Sequence, residues 1–261
     1  MKTILGRKKG IDNALWLEAV RNIEALVSYP ELKAAENEAI ENIRNATRGK
    51  HVAYSWSGGK DSIVLSSICR KAGVNRCMFA HSDLEYPAFL RWCMENKPPH
   101  CTTINTGQDL DWLAERPEMI FPHGDNLWKW YQIVQRKAFT DFFFENRLDM
   151  LLVGHRKADG NVVGKNNVIA KKSGEVRYAP LADWSHEMIL AYIHYYDLPI
   201  PPIYGWANGY KCGTHPWPSR MHTASVDDGY AEVWNIDRRI VLDAAAKIPS
   251  AKAFLRKRGI E

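Results

Sequence analysis

The chain has 261 residues, 46% hydrophobic and 25% charged, with a net charge of +5 and a pI near 8.9. That composition is of a globular chain able to bury a large core, and the mild positive excess suits an anionic ligand without demanding nucleic acid. No run approaches 18 consecutive apolar residues, so no membrane span is expected. The five cysteines form no C-x-x-C pair and no signal peptide precedes them, which points to a reducing, cytoplasmic setting rather than a disulfide framework.

In chain order, a basic terminus carrying Lys2, Arg7, Lys8 and Lys9 leads into a helix that Asp12 can cap. Its apolar side is Leu15, Trp16, Ala19, Val20, Ile23, Leu26 and Val27. A second amphipathic helix follows, and these two read as packing helices without chemistry, a unit over 1–49. An apolar run at 51–56 is then a buried strand, and 62–72 is a helix. Between them stands Ser55-Trp56-Ser57-Gly58-Gly59-Lys60-Asp61-Ser62. Two adjacent glycines let the backbone turn so that successive N–H groups face one concavity, and the helix behind adds its positive end. Lys60 adds a charge expected on the solvent-facing side of that cradle, and Ser57 and Ser62 add hydroxyls. Asp61 can cap the helix or approach a Mg²⁺ ion. The glycine spacing is wrong for a Walker A loop, so this is another kind of phosphate cradle.

Residues 74–80 and 100–105 read as the next two strands, with Asp83 at the carboxyl end of the first, where ligands gather in doubly wound sheets. Asp83 is either a ligand contact or a plain helix cap. Helical spacing runs from Asp125 to Arg147, with Leu127, Trp130, Tyr131, Val134, Ala138 and Phe142 as its core stripe. Residues 149–154 form a buried strand that runs into Arg156 and Asp159. The lysine-rich stretch after it is either a mobile flap or a hairpin of 167–170 with 176–179. A helix capped by Asp183 or Ser185 precedes the loop that holds Cys212, and helical stripes return from Asp227 to a basic end.

The hexad SGGKDS at 57–62 resembles the PP-loop family of adenine-nucleotide α-hydrolases. The run PLADWSHEMILAYIHYYDLPIPPIY at 180–204 is similar to a segment of the phosphoadenosine phosphosulfate (PAPS) reductases and their relatives. The resemblance implies an α/β fold: a doubly wound, mostly parallel sheet in a core over 50–205, with added N-terminal helices and a C-terminal loop and helices over 206–261. It implies a nucleotide held by Ser55, Ser57, Gly58, Gly59, Lys60, Asp61 and Ser62, with Asp83 near the adenosine. Gly154-x-Arg156-x-x-Asp159 resembles the family's Gly-x-Arg-x-x-Glu segment. Arg136 and Lys137 resemble an Arg-Lys pair presented toward phosphates, and Arg220 matches a late arginine. His215 and Pro218 stand where some members carry cysteines, so no iron–sulfur cluster is expected. Lys211-Cys212-Gly213-Thr214-His215 resembles the reductases' Glu-Cys-Gly-Leu-His motif.

Lys60, Arg156 and Cys212 are therefore the catalytic candidates, for either of two reactions. In one, ATP is split at its α-phosphate, with Mg²⁺, in a sulfur-related reaction. In the other, a thiolate at Cys212 reduces PAPS or adenylyl sulfate with a thioredoxin-like partner. The intact hexad favours the first and the 180–204 run favours sulfur chemistry. A sulfur donor, a nucleic acid as sulfur acceptor, a homo-oligomer and a nucleotide-binding module without turnover stay open.

Overall fold

The computed structural model describes residues 2–6, 11–123, 126–220 and 223–260. Arg7, Lys8 and Lys9 of the basic terminus, and Asp125 at the expected start of the long helix, lie outside them. Six strands form one sheet: β1 (Val52–Ser55), β2 (Cys77–His81), β3 (Cys101–Asn105), β4 (Met150–Leu152), β5 (Val168–Ala170) and β6 (Val176–Tyr178). Their order is β3-β2-β1-β4-β6-β5, parallel throughout except for β5, which runs antiparallel to β6. The lysine-rich stretch is thus a hairpin, and β6 continues the parallel sheet by pairing Tyr178 with Leu152.

Helices of at least eight residues are α1 (Asn13–Arg21), α2 (Tyr29–Thr47), α3 (Lys60–Lys71), α4 (Pro87–Asn96), α5 (Lys137–Glu145), α6 (His186–Tyr195), α7 (Val226–Ile236), α8 (Arg238–Ala245) and α9 (Pro249–Lys257). Strand alternation divides the core in two. Ala53, Met78 and Leu151 face α5, where Phe139, Phe142 and Phe143 cover them. Tyr54, Cys77, Phe79 and Leu152 face the other way, into a larger core shared with α1, α2, α3 and α6.

That division breaks the helix expected over 125–147. Leu127–Trp130 is α-helical, Tyr131–Arg136 is a π-turn, and only then does α5 begin. Trp130 and Val134 belong to the larger core, while Ala138 and Phe142 belong to the one under α5. A single straight stripe cannot face both, and the wider π-turn resets the phase between them.

Caps follow local chemistry. Asp12 accepts from the Ala14 amide at 3.2 Å, and Ser185, not Asp183, caps α6 by accepting from Met188 N at 3.1 Å. Asp183 instead pairs with Lys157 at 2.5 Å. Glu36 of α2 is buried and receives Lys33 at 2.7 Å, Lys71 at 2.5 Å and the Tyr196 hydroxyl, which ties α2 to α3 and α6. Burial opposes its ionisation, but the hydrogen bonds from Lys33, Lys71 and Tyr196 outweigh it and hold the carboxyl at about 2.

The chain proceeds from β1 to β2 and β3 on one side and returns to β4 on the other. The carboxyl ends of β1 and β4 therefore frame the switch-point crevice of an open sheet.

Candidate nucleotide site at the carboxyl edge

The Ser57–Ser62 loop leaves β1 and enters α3 at this crevice. Gly58 has φ +68°, and a Cβ there would stand 2.6 Å from Cys93 Sγ and 3.2 Å from the Phe89 ring. Only glycine combines that conformation with so close an approach to α4. The N-cap of α3 is Gly59, which offers no capping side chain. Asp61 lies inside the first turn, so the expectation that it caps the helix is corrected. Ser62 Oγ accepts from Ser57 N at 3.0 Å and donates to Gly59 O at 2.9 Å, folding the loop back on itself. Ser55, which ends β1 beneath the loop, is buried.

Lys60 is not on a solvent-facing cradle. It is 2% exposed, its Nζ lies 2.8 Å from Asp61 Oδ2, and it stands 5.4 Å from the centre of the Trp16 ring. The cover comes from α1: Trp16 stacks on Tyr210 at 5.5 Å and meets His186 edge-on at 4.6 Å. The first helix, expected only to pack, closes this side of the loop. The Lys60 backbone amide donates to the Tyr204 hydroxyl at 2.8 Å. Burial, reinforced by the charge of Asp61, pushes the Tyr204 phenol well up, so it stays a hydroxyl.

Arg156 follows β4 and is fully buried. It lies 2.8 Å from Asp61 and 2.9 Å from Asp159, donates to Trp184 O at 3.0 Å, and stands 3.0 Å from His186 Nδ1. Gly154 lies against the loop: a Cβ there would stand 3.5 Å from the Asp61 backbone, an ordinary van der Waals contact. Arg220 is 3% exposed, with Glu232 at 2.5 Å and the Ala207 carbonyl as partners. Each arginine is paired with carboxylates of the fold, while Arg156 Nε is buried without a hydrogen-bond partner.

The remaining candidates are dispersed. The exposed Asp83 accepts from Asn105 at 2.6 Å, and α4 starts later, at Pro87, with Tyr86 as N-cap, so Asp83 is not a helix cap. Arg136 and Lys137 are exposed, with Lys137 paired to Asp141 one turn on at 2.5 Å. Cys212 ends the short helix Gly209–Cys212 and is 4% exposed. The segment behind it reaches the loop, because Thr214 Oγ1 lies 2.9 Å from where a Cβ on Gly59 would be. The Asp61 carboxylate already carries Lys60 and Arg156, a cationic setting that does not fit the Mg²⁺ expected there. Among the described residues no cluster of three or more His, Cys, Asp or Glu side chains forms a metal site, and no helix is long and apolar enough to cross a membrane.

On the side of the loop away from Trp16 is a narrow cavity. Ser57 and Glu85 line it, with Phe79, Phe89, Trp130, Tyr131, Val134, Thr214 and His215 among the other walls. Burial pushes the Glu85 carboxyl up to about 8, against long contacts from Ser82 N at 3.4 Å and Ser82 Oγ at 3.5 Å. Neither Glu85 nor Tyr204 was singled out from sequence for this site. Tyr204 closes the 180–204 run, which was a signal. Glu85 had none, being one acid in a segment read for Asp83.

No curated protein matches the chain. Among solved structures, a phosphoadenylyl-sulfate (PAPS) reductase from Candida auris, in a phosphate complex, superposes with a TM-score of 0.49 at 17% identity, covering 68% of this chain and 91% of that one. The profile of the phosphoadenosine phosphosulfate reductase domain matches residues 51–212, from the start of β1 to Cys212 and well over half the chain. With β1, the glycine loop, the Arg156 segment and the 180–204 run all inside that match, the chain belongs to the phosphoadenosine phosphosulfate reductase domain family.

Proposed function

We propose that this protein binds an adenine nucleotide at the carboxyl edge of its sheet and splits ATP at the α-phosphate. The anionic end lies at Ser57–Ser62, against the N-terminus of α3, whose amide dipoles favour negative charge. An acceptor forms a bond to the α-phosphorus, the bond to the bridging oxygen breaks, and pyrophosphate leaves with the electron pair. Lys60 and Arg156, compensated by Asp61 and Asp159, hold the loop in shape. The observation that carries this reading over thiol chemistry is the state of Cys212. It is buried, its amide donates to Asn208 O at 2.8 Å, and the Gly213 amide closes the turn on Gly209 O at 2.9 Å. An attacking sulfur must reach its target as a thiolate, and this one is enclosed.

A second reading is favoured by the packing of Thr214 against Gly59. In it the Cys212 thiolate attacks the sulfur of PAPS, the S–O bond to the phosphate breaks, and adenosine 3′,5′-bisphosphate leaves. A thioredoxin-like dithiol then releases sulfite through a mixed disulfide. A product assay separates the two: AMP and pyrophosphate support ATP splitting, and adenosine 3′,5′-bisphosphate with sulfite overturns it. Nucleotide binding with no product selects a binding module. Cys212→Ser is expected to keep pyrophosphate release within about twofold, since adenylation needs no thiol. Loss of activity in that variant, with a mixed disulfide trapped on wild-type Cys212, favours the reductase.

A further inference from the structure

Two cysteines that neither reading of the nucleotide chemistry uses face each other across the sheet. β2 and β3 pair in parallel with Cys77 opposite Cys101, and Tyr54 of β1 stands opposite Cys77 on its other side. Register partners point to the same face of a pleated sheet, here the larger core, in which Cys77 is fully buried and against which Cys101 packs. A side-chain hydrogen bond joins the two thiols, and the Tyr54 hydroxyl donates to the Cys77 sulfur. Adjacent strands run ~4.8 Å apart, inside the ~4.4–6.8 Å that a disulfide spans between Cα atoms. Neither cysteine is in a disulfide, and Cys101 is partly open to solvent.

We propose that Cys77 and Cys101 form a reversible disulfide that staples the edge strand β3 to β2. β3 ends the sheet, pairs with β2 alone and has no buried residue. The cross-link closes the segment 77–101, which contains α4, and α4 carries the Phe89 and Cys93 side chains that stand against Gly58 of the glycine loop. Oxidation therefore narrows the unfolded ensemble of the part of the chain that seats the loop.

The oxidant is a low-molecular-weight disulfide, met at the more open sulfur. Cys101 attacks one of its sulfurs, the S–S bond breaks, and one half leaves with the electron pair and takes up the Cys101 proton as a thiol. Cys77 then attacks the Cys101 sulfur, the mixed S–S bond breaks, and the second half leaves as a thiol with the proton from Cys77. Two protein thiols are oxidised, and one small disulfide is reduced to two thiols. In the reduced pair the Cys101 hydrogen bond holds the Cys77 thiol below its usual value against burial. Once Cys101 is in the mixed disulfide, the Tyr54 hydroxyl and the charges of Arg70 and Lys97 remain to favour the Cys77 thiolate. Cys69 lies near Cys77 too, but complete burial keeps it a thiol.

The test is oxidation of the folded full chain with oxidised glutathione, alkylation of the remaining thiols, and peptide mapping by mass spectrometry, for wild type and Cys101→Ser. Wild type is expected to lose two of its five free thiols, to yield a peptide that links Cys77 to Cys101, and to recover both thiols in dithiothreitol. Its urea midpoint should rise by roughly 0.5–1 M on oxidation. Cys101→Ser should gain neither the link nor the rise. A glutathione adduct that stays on Cys101, a link from Cys77 to Cys69, or five thiols still free overturns the proposal. A link that forms without raising the midpoint overturns the staple. The wild-type map decides even if Cys101→Ser does not fold.

Discussion

The two sides of the glycine loop use charge in opposite ways. Toward α1, Lys60, Asp61, Arg156 and Asp159 form a chain of ion pairs at 2.8 to 2.9 Å, enclosed by Trp16, Tyr204 and His186. Toward α4 and the π-turn, one carboxyl sits among rings and holds only long contacts to Ser82. Compensated charges define a shape, and they are expensive to disturb because removing one strands the others. A carboxyl with weak partners is kept neutral by burial. The difference separates residues that build the loop from one that answers to pH.

Removing the centre of the charged side should have the largest effect. Arg156→Leu leaves Asp61 and Asp159 without their shared cation and is expected to lower stability by about 3–5 kcal/mol in urea unfolding. Arg156→Lys keeps the charge but not the planar fork, and is expected to fall between that variant and wild type. Wild-type stability in Arg156→Leu would mean that the chain of ion pairs is not structural.

Gly58→Ala tests the seam between the two sides. A methyl group there meets Cys93 Sγ at 2.6 Å with φ at +68°, and a loss of about 1–3 kcal/mol is expected. Cys93→Ala in the same chain should relieve the contact but not the backbone conformation. Full rescue by that second change would show that the left-handed backbone costs nothing here.

The neutral side should announce itself through pH. Glu85 binds its proton more tightly folded, with a value of about 8, than it would in the unfolded chain, so its contribution to stability is complete at low pH and declines through that window. Between pH 7 and pH 8 the loss should be ~1 kcal/mol, read as a falling urea midpoint, and Glu85→Gln should flatten it. A slope unchanged in that variant would place the titration elsewhere.

The smallest effect is expected at the exposed pair. Lys137→Ala removes a surface ion pair to Asp141 and should leave AMP affinity within about twofold of wild type. A tenfold loss would restore the expectation that Arg136 and Lys137 reach the phosphates.

Much of the sheet was legible because buried parallel strands are short apolar runs with turn residues at their ends, and 51–56, 74–80 and 149–154 have that form, whereas the edge strand at 101–105 is half-polar and has no buried residue. The hexad at 57–62 was legible because its glycines and hydroxyls are contiguous. The burial of Lys60 was not, since it depends on Trp16 and Tyr204, which are adjacent to the loop only in three dimensions. Arg156 shows the same limit: its position after a strand could be read, but its partners Asp61 and His186 come from two other segments. The helix at 125–147 misled because one apolar stripe serves two cores, and periodicity counts apolar residues without saying which core each one enters.

Glu187 carries a last consequence. Buried in α6, its carboxylate accepts from the amides of Ile4 and Leu5 at 2.8 and 2.7 Å, across 183 and 182 residues of sequence, and Tyr210 lies under Trp16. The start of the chain is thus clasped by residues made late. On the ribosome the glycine loop and β1 emerge early, but the cover from α1 lacks its partners until Glu187 and Tyr210 have been added, on the order of 7 to 30 s later at ~5–20 residues per second. Through that interval α2 already has α3 to pair with through Glu36 and Lys71, whereas Trp16 of α1 still lacks His186 and Tyr210.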